Sequence, residues 1–114
     1  MDKKTLVNYL KPVFRSLADD GIKVTFADLI PTRTRGWYQL SLSADWGKLL
    51  NHSERVRLMT KKMFEFMPPE ARGPLYSVAA YDSPEEVVLD FEYYDYKPDE
   101  LAKDLYINNS PMQV

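Results

Sequence analysis

The sequence has no cysteine, a single histidine and only 4 glycines among its 114 residues. Without cysteine there can be no disulfide framework and no thiolate metal site. The one histidine, His52, excludes sites built on two imidazole ligands and leaves serine nucleophiles with a single candidate base. The glycines stand at positions 21, 36, 47 and 73, a spacing that matches no Gly-rich phosphate loop. We therefore predict a protein that is not an enzyme, with no catalytic residues, no cofactor and no metal.

Long hydrophobic runs are also missing, since no stretch approaches the roughly 18 apolar residues of a membrane span. The chain starts Met1-Asp2-Lys3-Lys4 and continues into an amphipathic segment, which is not the pattern of a signal peptide. Hydrophobic residues make up 45% of the chain, enough for a core. These features predict a soluble, cytoplasmic, bacterial-type protein without membrane contact. Its length fits a single domain, placed at residues 1–107, with a flexible tail at 108–114.

Charge is distributed unevenly along the chain. Residues 1–81 contain 13 Lys and Arg against 8 Asp and Glu, a net charge of +5. Residues 82–114 contain 2 basic residues against 9 acidic ones, a net charge of −7, so the total is −2. This separation predicts either an acidic interaction surface or two segments that face each other in the fold.

Apolar residues at helical spacing predict a helix over the N-terminal segment. Asp2 is a suitable N-cap, and Gly21 is a suitable left-handed stop. Pro12 conflicts with this helix, because an internal proline removes a backbone hydrogen bond. The prediction is therefore a helix that either bends at Pro12 or begins later.

A second helix is predicted from Asn51, where Glu54 follows three residues later as in a capping box, and it should end before Pro68. A short third helix is predicted to begin at Pro98. One face of the second helix is rich in methionine, namely Met59, Met63 and Met67.

Alternating apolar and polar residues predict four strands, near residues 22–27, 37–44, 75–81 and 87–94. The element order is then helix-strand-strand, repeated once, plus the short C-terminal helix. We predict an α+β fold in which one mainly antiparallel four-stranded sheet carries both long helices on one face. The other face would be open to water; it would present Trp37, Gln39, Ser41, Ser43, Asp90, Glu92 and Tyr94.

The segment 90–96 combines carboxylates with tyrosines. Tyrosine provides large contact area at low entropic cost, and neighbouring carboxylates steer a basic partner. The side chains assigned to partner binding are Asp90, Glu92, Tyr94, Asp95 and Tyr96, while Phe91 and Tyr93 are assigned to the core. Asp90 and Glu92 are also two residues apart on one face of the predicted strand, where paired carboxylates could hold a divalent ion or hydrolyse a glycoside. Solvated carboxylates are the simpler interpretation, so no catalytic role is assigned to them.

The leading hypothesis is a small acidic protein-binding module, of the kind found in immunity proteins and antitoxins, that inhibits a partner with a basic surface. One alternative is a homodimer resembling a secretion chaperone, with the methionine-rich helix as its adaptable interface. Another is a nucleic-acid-binding domain that uses Arg33, Arg35 and Trp37, because basic and aromatic side chains together neutralise phosphates and stack bases. The acidic composition makes nucleic acid the less favoured partner.

Overall fold

The computed structural model describes residues 2–97 and the backbone of residues 106, 107, 110 and 111. The elements are, in chain order, α1 (Lys3–Asp19), β1 (Lys23–Pro31), β2 (Tyr38–Asp45), α2 (His52–Phe66), α3 (Pro69–Arg72), β3 (Leu75–Tyr81), α4 (Pro84–Tyr93), β4 (Tyr106–Ile107) and β5 (Ser110–Pro111).

Helix α1 begins and ends where local sequence signals place it. The Asp2 side chain accepts a hydrogen bond from the Thr5 backbone N–H at 2.8 Å, as an N-cap does. At the other end Gly21 has φ +82°, and the N–H of Ile22 reaches back to the Leu17 carbonyl at 2.9 Å, which closes a Schellman motif. The helix continues through Pro12, so the prediction of a later start is wrong.

Helix α2 starts with the predicted capping box. The Asn51 side chain accepts a hydrogen bond from the Glu54 N–H, and its amide nitrogen donates to the Glu54 carboxylate, both at 2.9 Å. Near the helix start, His52 Nε2 accepts a hydrogen bond from the Ala80 N–H at 3.2 Å and so links α2 to β3. The single histidine of the sequence therefore forms a hydrogen bond within the fold.

The main sheet has three strands in the order β1-β2-β3. Strands β1 and β2 form the predicted antiparallel pair, with Ala27 opposite Leu42 and Pro31 opposite Tyr38. Strand β3 pairs with β2 in the parallel direction, because α2 returns the chain to the end of the sheet where β2 begins. The predicted four-stranded, mainly antiparallel sheet built from two hairpin units is therefore wrong, although the α+β class is correct.

Residues 84–93 form helix α4, not the predicted fourth strand. Ser83 stands at the N-cap position, Pro84 occupies the first turn, and Glu85 and Glu86 favour the positive end of the helix dipole. Val87 and Phe91 are four residues apart, so both lie on the buried face of the helix. The strand prediction failed because a short apolar run with alternating character also fits one helical face.

The sheet is covered on both faces. Helices α1 and α2 pack with one face in the main core, where Leu6, Leu10, Leu40, Leu42 and Met59 are completely buried. Helix α4 covers the other face, where Val87 and Phe91 pack against Ile30. The face predicted to be wet is consequently buried over much of its area, and its members Gln39, Ser41 and Ser43 are all buried.

The ion pair between Lys3 and Asp28 lies inside the described part of the structure. Lys3 Nζ is 3.1 Å from the Asp28 Oδ1 atom, and Asp28 has no solvent exposure. Burial raises the pKa of Asp28, and the nearby Lys3 charge opposes that rise.

Two predictions fall largely outside the described residues. The short helix predicted from Pro98 lies there completely. Of the predicted tail at 108–114, only Ser110–Pro111 is described, and it pairs antiparallel with Tyr106–Ile107. Among the described residues, no helix combines the length and the apolar character needed to cross a membrane.

Candidate functional site

An open groove of about 790 Å³ lies at the end of the sheet where β1 finishes and where β2 and β3 begin. The C-terminal end of α4 forms its other side. The groove is lined by Pro31, Thr32, Arg33, Thr34, Trp37, Tyr76, Tyr93, Tyr94 and Asp95. Its volume is within the range of ligand pockets, about 300–1,000 Å³.

Backbone hydrogen bonds fix the loop between β1 and β2. The Thr32 N–H donates to the Trp37 carbonyl at 2.9 Å, and the Trp37 N–H donates to the Thr34 carbonyl at 3.1 Å. Gly36 has φ +83°, a left-handed conformation that glycine adopts without strain. The turn therefore holds Trp37 in place at the start of β2.

The start of β3 is fixed next to this turn. The Tyr38 N–H donates to the Pro74 carbonyl at 2.7 Å, so the two parallel strands begin side by side. Trp37 and Tyr76 then stack, with ring centroids 5.9 Å apart and an interplanar angle of 24°. On the α4 side, Tyr93 and Tyr94 meet edge to face at 4.9 Å. The groove thus has an aromatic pair on each side.

These four aromatic side chains are exposed to an unusual degree for their size. The exposed fractions are 45% for Trp37, 66% for Tyr76, 82% for Tyr93 and 36% for Tyr94. Large aromatic side chains gathered at one exposed place are characteristic of a binding surface, whereas single exposed apolar residues need no explanation. We therefore take the groove as the candidate site.

Asp90 holds α4 against the sheet beneath the groove. Its carboxylate accepts hydrogen bonds from the Tyr81 hydroxyl at 2.7 Å, the Ser41 hydroxyl at 2.9 Å and the Gln39 amide nitrogen at 3.1 Å. Burial, followed by the bond to Asp90, raises the pKa of Tyr81 above its ordinary value. The carboxylate is thus a structural anchor.

The same network reaches the groove through Gln39. The Gln39 Oε1 atom accepts hydrogen bonds from the hydroxyls of Tyr94 and Ser77, both at 3.0 Å. Burial, followed by the Asp90 charge, raises the pKa of Tyr94 above its ordinary value. Hydrogen bonding thus fixes the position of one aromatic ring of the groove.

The five side chains assigned to partner binding have different locations. Tyr94 and Asp95 lie at the groove, and Glu92 is exposed on α4. Asp90 points toward the sheet and is engaged there, contrary to its expected place on an open surface. Tyr96 is only partly exposed, because it packs edge-on against Phe91 with centroids 5.4 Å apart.

The carboxylates of Asp90 and Glu92 do not form a pair on one face. In a strand, residues two apart share a face, but in a helix they are about 200° apart around the axis. Asp90 therefore faces the sheet while Glu92 faces solvent. The arrangement considered for metal binding or glycoside hydrolysis is absent.

The residues of the nucleic-acid alternative are only partly brought together. Arg33 and Trp37 both line the groove, whereas Arg35 is exposed in the same loop but is not part of the lining. Asp95 is the other charged residue in the described part of the lining, so Arg33 does not give this part a net positive charge.

Two groove residues, Tyr76 and Tyr93, are not among the site residues predicted from the sequence. Tyr93 was assigned to the core with Phe91, but the helical geometry of α4 turns it outward. Tyr76 meets Trp37 because β2 and β3 are parallel, which the hairpin prediction did not include. The start signal at Ser83 and Pro84 would have placed Tyr93 correctly, because it identifies the segment as a helix.

The methionine-rich face of α2 is not available as a surface. Met59, Met63 and Met67 are all buried in the main core. In this fold these side chains fill space between α2, α1 and the sheet, so they do not offer the adaptable interface of the homodimer alternative.

Comparison of the chain with protein-family models, with curated proteins and with solved structures gives no match.

Proposed function

We propose that this protein is a non-enzymatic binding module that recognises a protein partner with a basic surface, in the manner of an immunity protein or antitoxin. The observation that supports this most is the aromatic groove, where Trp37, Tyr76, Tyr93 and Tyr94 are exposed together. Tyrosine and tryptophan are the side chains most often found as energetic anchors of protein interfaces.

The outer face of α4 extends this surface. Leu89 is 60% exposed and lies one helical turn before Tyr93, so both side chains are on the same side of the helix. Glu85 and Glu92 are exposed on that side as well. Apolar contacts flanked by carboxylates suit a partner that carries both apolar and basic groups.

The charge of this region has a single dominant sign. Of the six carboxylates in residues 82–97, Asp82 is paired with Arg55 and Asp90 faces the sheet. The other four, from Glu85, Glu86, Glu92 and Asp95, stand against one basic residue, Lys97, a net charge of −3. A surface of this sign attracts cationic partners and raises their rate of association, in a way that salt screens.

The test is retention of proteins from a lysate of the native host by three immobilised forms of the chain. The first is the wild type, and the second combines Glu92→Gln, Tyr93→Ala and Asp95→Asn. The third is a matched control that combines Glu65→Gln, Glu70→Gln and Leu50→Ala. All six positions are exposed, and each combination removes two carboxylates and one large side chain.

We expect the wild type and the control to retain the same basic protein at moderate salt, and the groove variant to lose it. Retention should weaken as salt is raised, because the attraction is partly electrostatic. The proposal is wrong if the groove variant and the control behave alike, or if the retained proteins are acidic.

Single-stranded nucleic acid is a second candidate ligand, because Arg33 lies in the same groove as the stacked pair of Trp37 and Tyr76. Such a platform can stack bases while a cation contacts phosphate. A titration with a fluorescent oligothymidylate at low salt tests this function. Binding that falls steeply with salt and is lost in Arg33→Gln supports it, and no binding at low salt excludes it.

A further inference from the structure

We propose that the groove receives an extended, proline-rich segment of the partner, in polyproline II conformation, with a lysine or arginine at one end. This inference rests on the proposed function, since it names the part of the partner that the groove contacts. It follows from the shape of the groove, its free donors and its charge.

The shape suits a narrow, rigid ligand. Stacked Trp37 and Tyr76 form one wall on the sheet, and Tyr93 with Tyr94 forms the other wall on α4. Proline-rich segments are recognised in grooves lined by aromatic rings, because a polyproline II helix presents flat pyrrolidine rings and is already ordered before it binds. The two aromatic walls provide surfaces for such rings.

The available donors match the backbone of that conformation. A polyproline II helix makes no internal hydrogen bonds, so its carbonyl groups need donors from outside. Trp37, Tyr76 and Tyr93 are exposed, and they have an indole N–H or a phenol that can donate from the walls. The Tyr94 hydroxyl, in contrast, is already used on Gln39.

The charge of the groove favours such a peptide over nucleic acid. Among the described lining residues Arg33 and Asp95 are charged, so this part of the lining carries no net positive charge. Single-stranded nucleic acid needs a positive channel along its phosphates. A basic residue next to the proline segment would lie near Asp95 and the exposed Glu92 at the C-terminal end of α4, where its charge would be complemented.

The backbone of both walls and the Tyr94 ring are held in advance of binding. Asp90 joins α4 to the sheet, Gln39 accepts from the Tyr94 hydroxyl, and the turn before β2 fixes Trp37. A groove with a fixed backbone and a stiff peptide lose less conformational entropy on association than two flexible partners do.

The experiment is a fluorescence titration of the full chain with a synthetic peptide in which a run of prolines ends in two arginines. Trp37 is half exposed and Trp46 is buried, so a change in emission reports mainly on the groove. The comparison peptide keeps the arginines but replaces the prolines with alternating glycine and alanine. Oligothymidylate serves as the third probe.

We expect the proline peptide to bind at least tenfold more tightly than the comparison peptide. Tyr93→Ala should weaken its binding about tenfold or more, measured by calorimetry, as should Trp37→Ala. Leu50→Ala, an exposed apolar change outside the groove, should leave binding unchanged. Circular dichroism and urea midpoints equal to those of the wild type would show that the variants are folded.

Equal binding of the two peptides, insensitivity to both groove variants, or tighter binding of oligothymidylate would each overturn the inference. Failure of the proline peptide while the groove still retains a basic protein from lysate overturns this inference alone. Failure of both experiments overturns the proposed function as well.

Discussion

Replacing Asp90 with alanine should destabilise the fold much more than replacing Glu92, which is two residues away. The Asp90 carboxylate accepts hydrogen bonds from Tyr81, Ser41 and Gln39, whereas Glu92 is exposed. The variant leaves the Ser41 and Gln39 donors in a buried place without their acceptor. A buried donor without a partner lowers the free energy of unfolding, because water does not replace the missing acceptor.

The size of the effect follows from these three bonds. A hydrogen bond to a charged group contributes about 1.5–3 kcal/mol. Asp90 is only half buried, and the Gln39 amide also donates to Ser41 at 2.8 Å, so part of the network survives. We expect a loss of about 3 kcal/mol in the free energy of unfolding, or a fall in Tm of about 12 °C for a domain of this size. Glu92→Ala should stay within about 0.5 kcal/mol of the wild type.

Urea unfolding of the wild type and both variants measures this difference. The midpoints can be compared directly if the slope of the free energy of unfolding against urea concentration is the same for all three proteins. Asp90→Asn provides an intermediate case, since it keeps one acceptor oxygen and should lose about half as much. Equal midpoints for Asp90→Ala and Glu92→Ala would refute the reasoning. The two carboxylates would then be equivalent, as on the exposed strand face that the sequence suggested.

Two further predictions concern the core and its ion pair. Met59→Ala should lower the free energy of unfolding by about 2–5 kcal/mol, because it leaves a cavity among α1, α2 and the sheet. The exposed control Phe64→Ala should change stability little. Urea midpoints measure both effects, and equal losses for the two variants would contradict the assignment of the methionines to the core. The pKa of Asp28 is higher in the folded protein than in the unfolded chain, so the folded protein binds the proton more readily. The contribution of Asp28 to the free energy of unfolding therefore rises as the pH falls from the folded-state pKa toward 3.8. The stability of the wild type relative to Asp28→Asn should therefore increase as the pH is lowered through the acidic range toward 3.8, and a decrease there would contradict the buried position of Asp28.

Local signals in the sequence predicted the parts of the fold that depend on neighbouring residues. Asn51 with Glu54 caps α2, Asp2 caps α1, and Gly21 supplies the positive φ that ends α1. Each of these depends on a backbone requirement that a few residue types meet. The first two strands were predicted because one apolar face and one polar face alternate over their length.

The direction of β3 depended on more distant partners, whereas the helix at residues 84–93 was missed despite its local start signal at Ser83 and Pro84. Val87 and Phe91 fit one helical face as well as alternate positions of a strand, so their spacing did not decide between the two. Two of the four aromatic residues of the groove were therefore missed, because Tyr76 and Tyr93 reach the site only through a parallel β3 and a helical α4. Trp37 and Tyr94 were assigned to different hypotheses, and the fold brings them to one site.

The most direct test of protein binding at the groove is photo-crosslinking in the native host with benzoylphenylalanine at position 93, and separately at position 50. Both positions are highly exposed, but only the first lines the groove. The proposed function predicts a covalent adduct with a basic protein from position 93 and none from position 50. No adduct from position 93, or the same adduct from both positions, would contradict it.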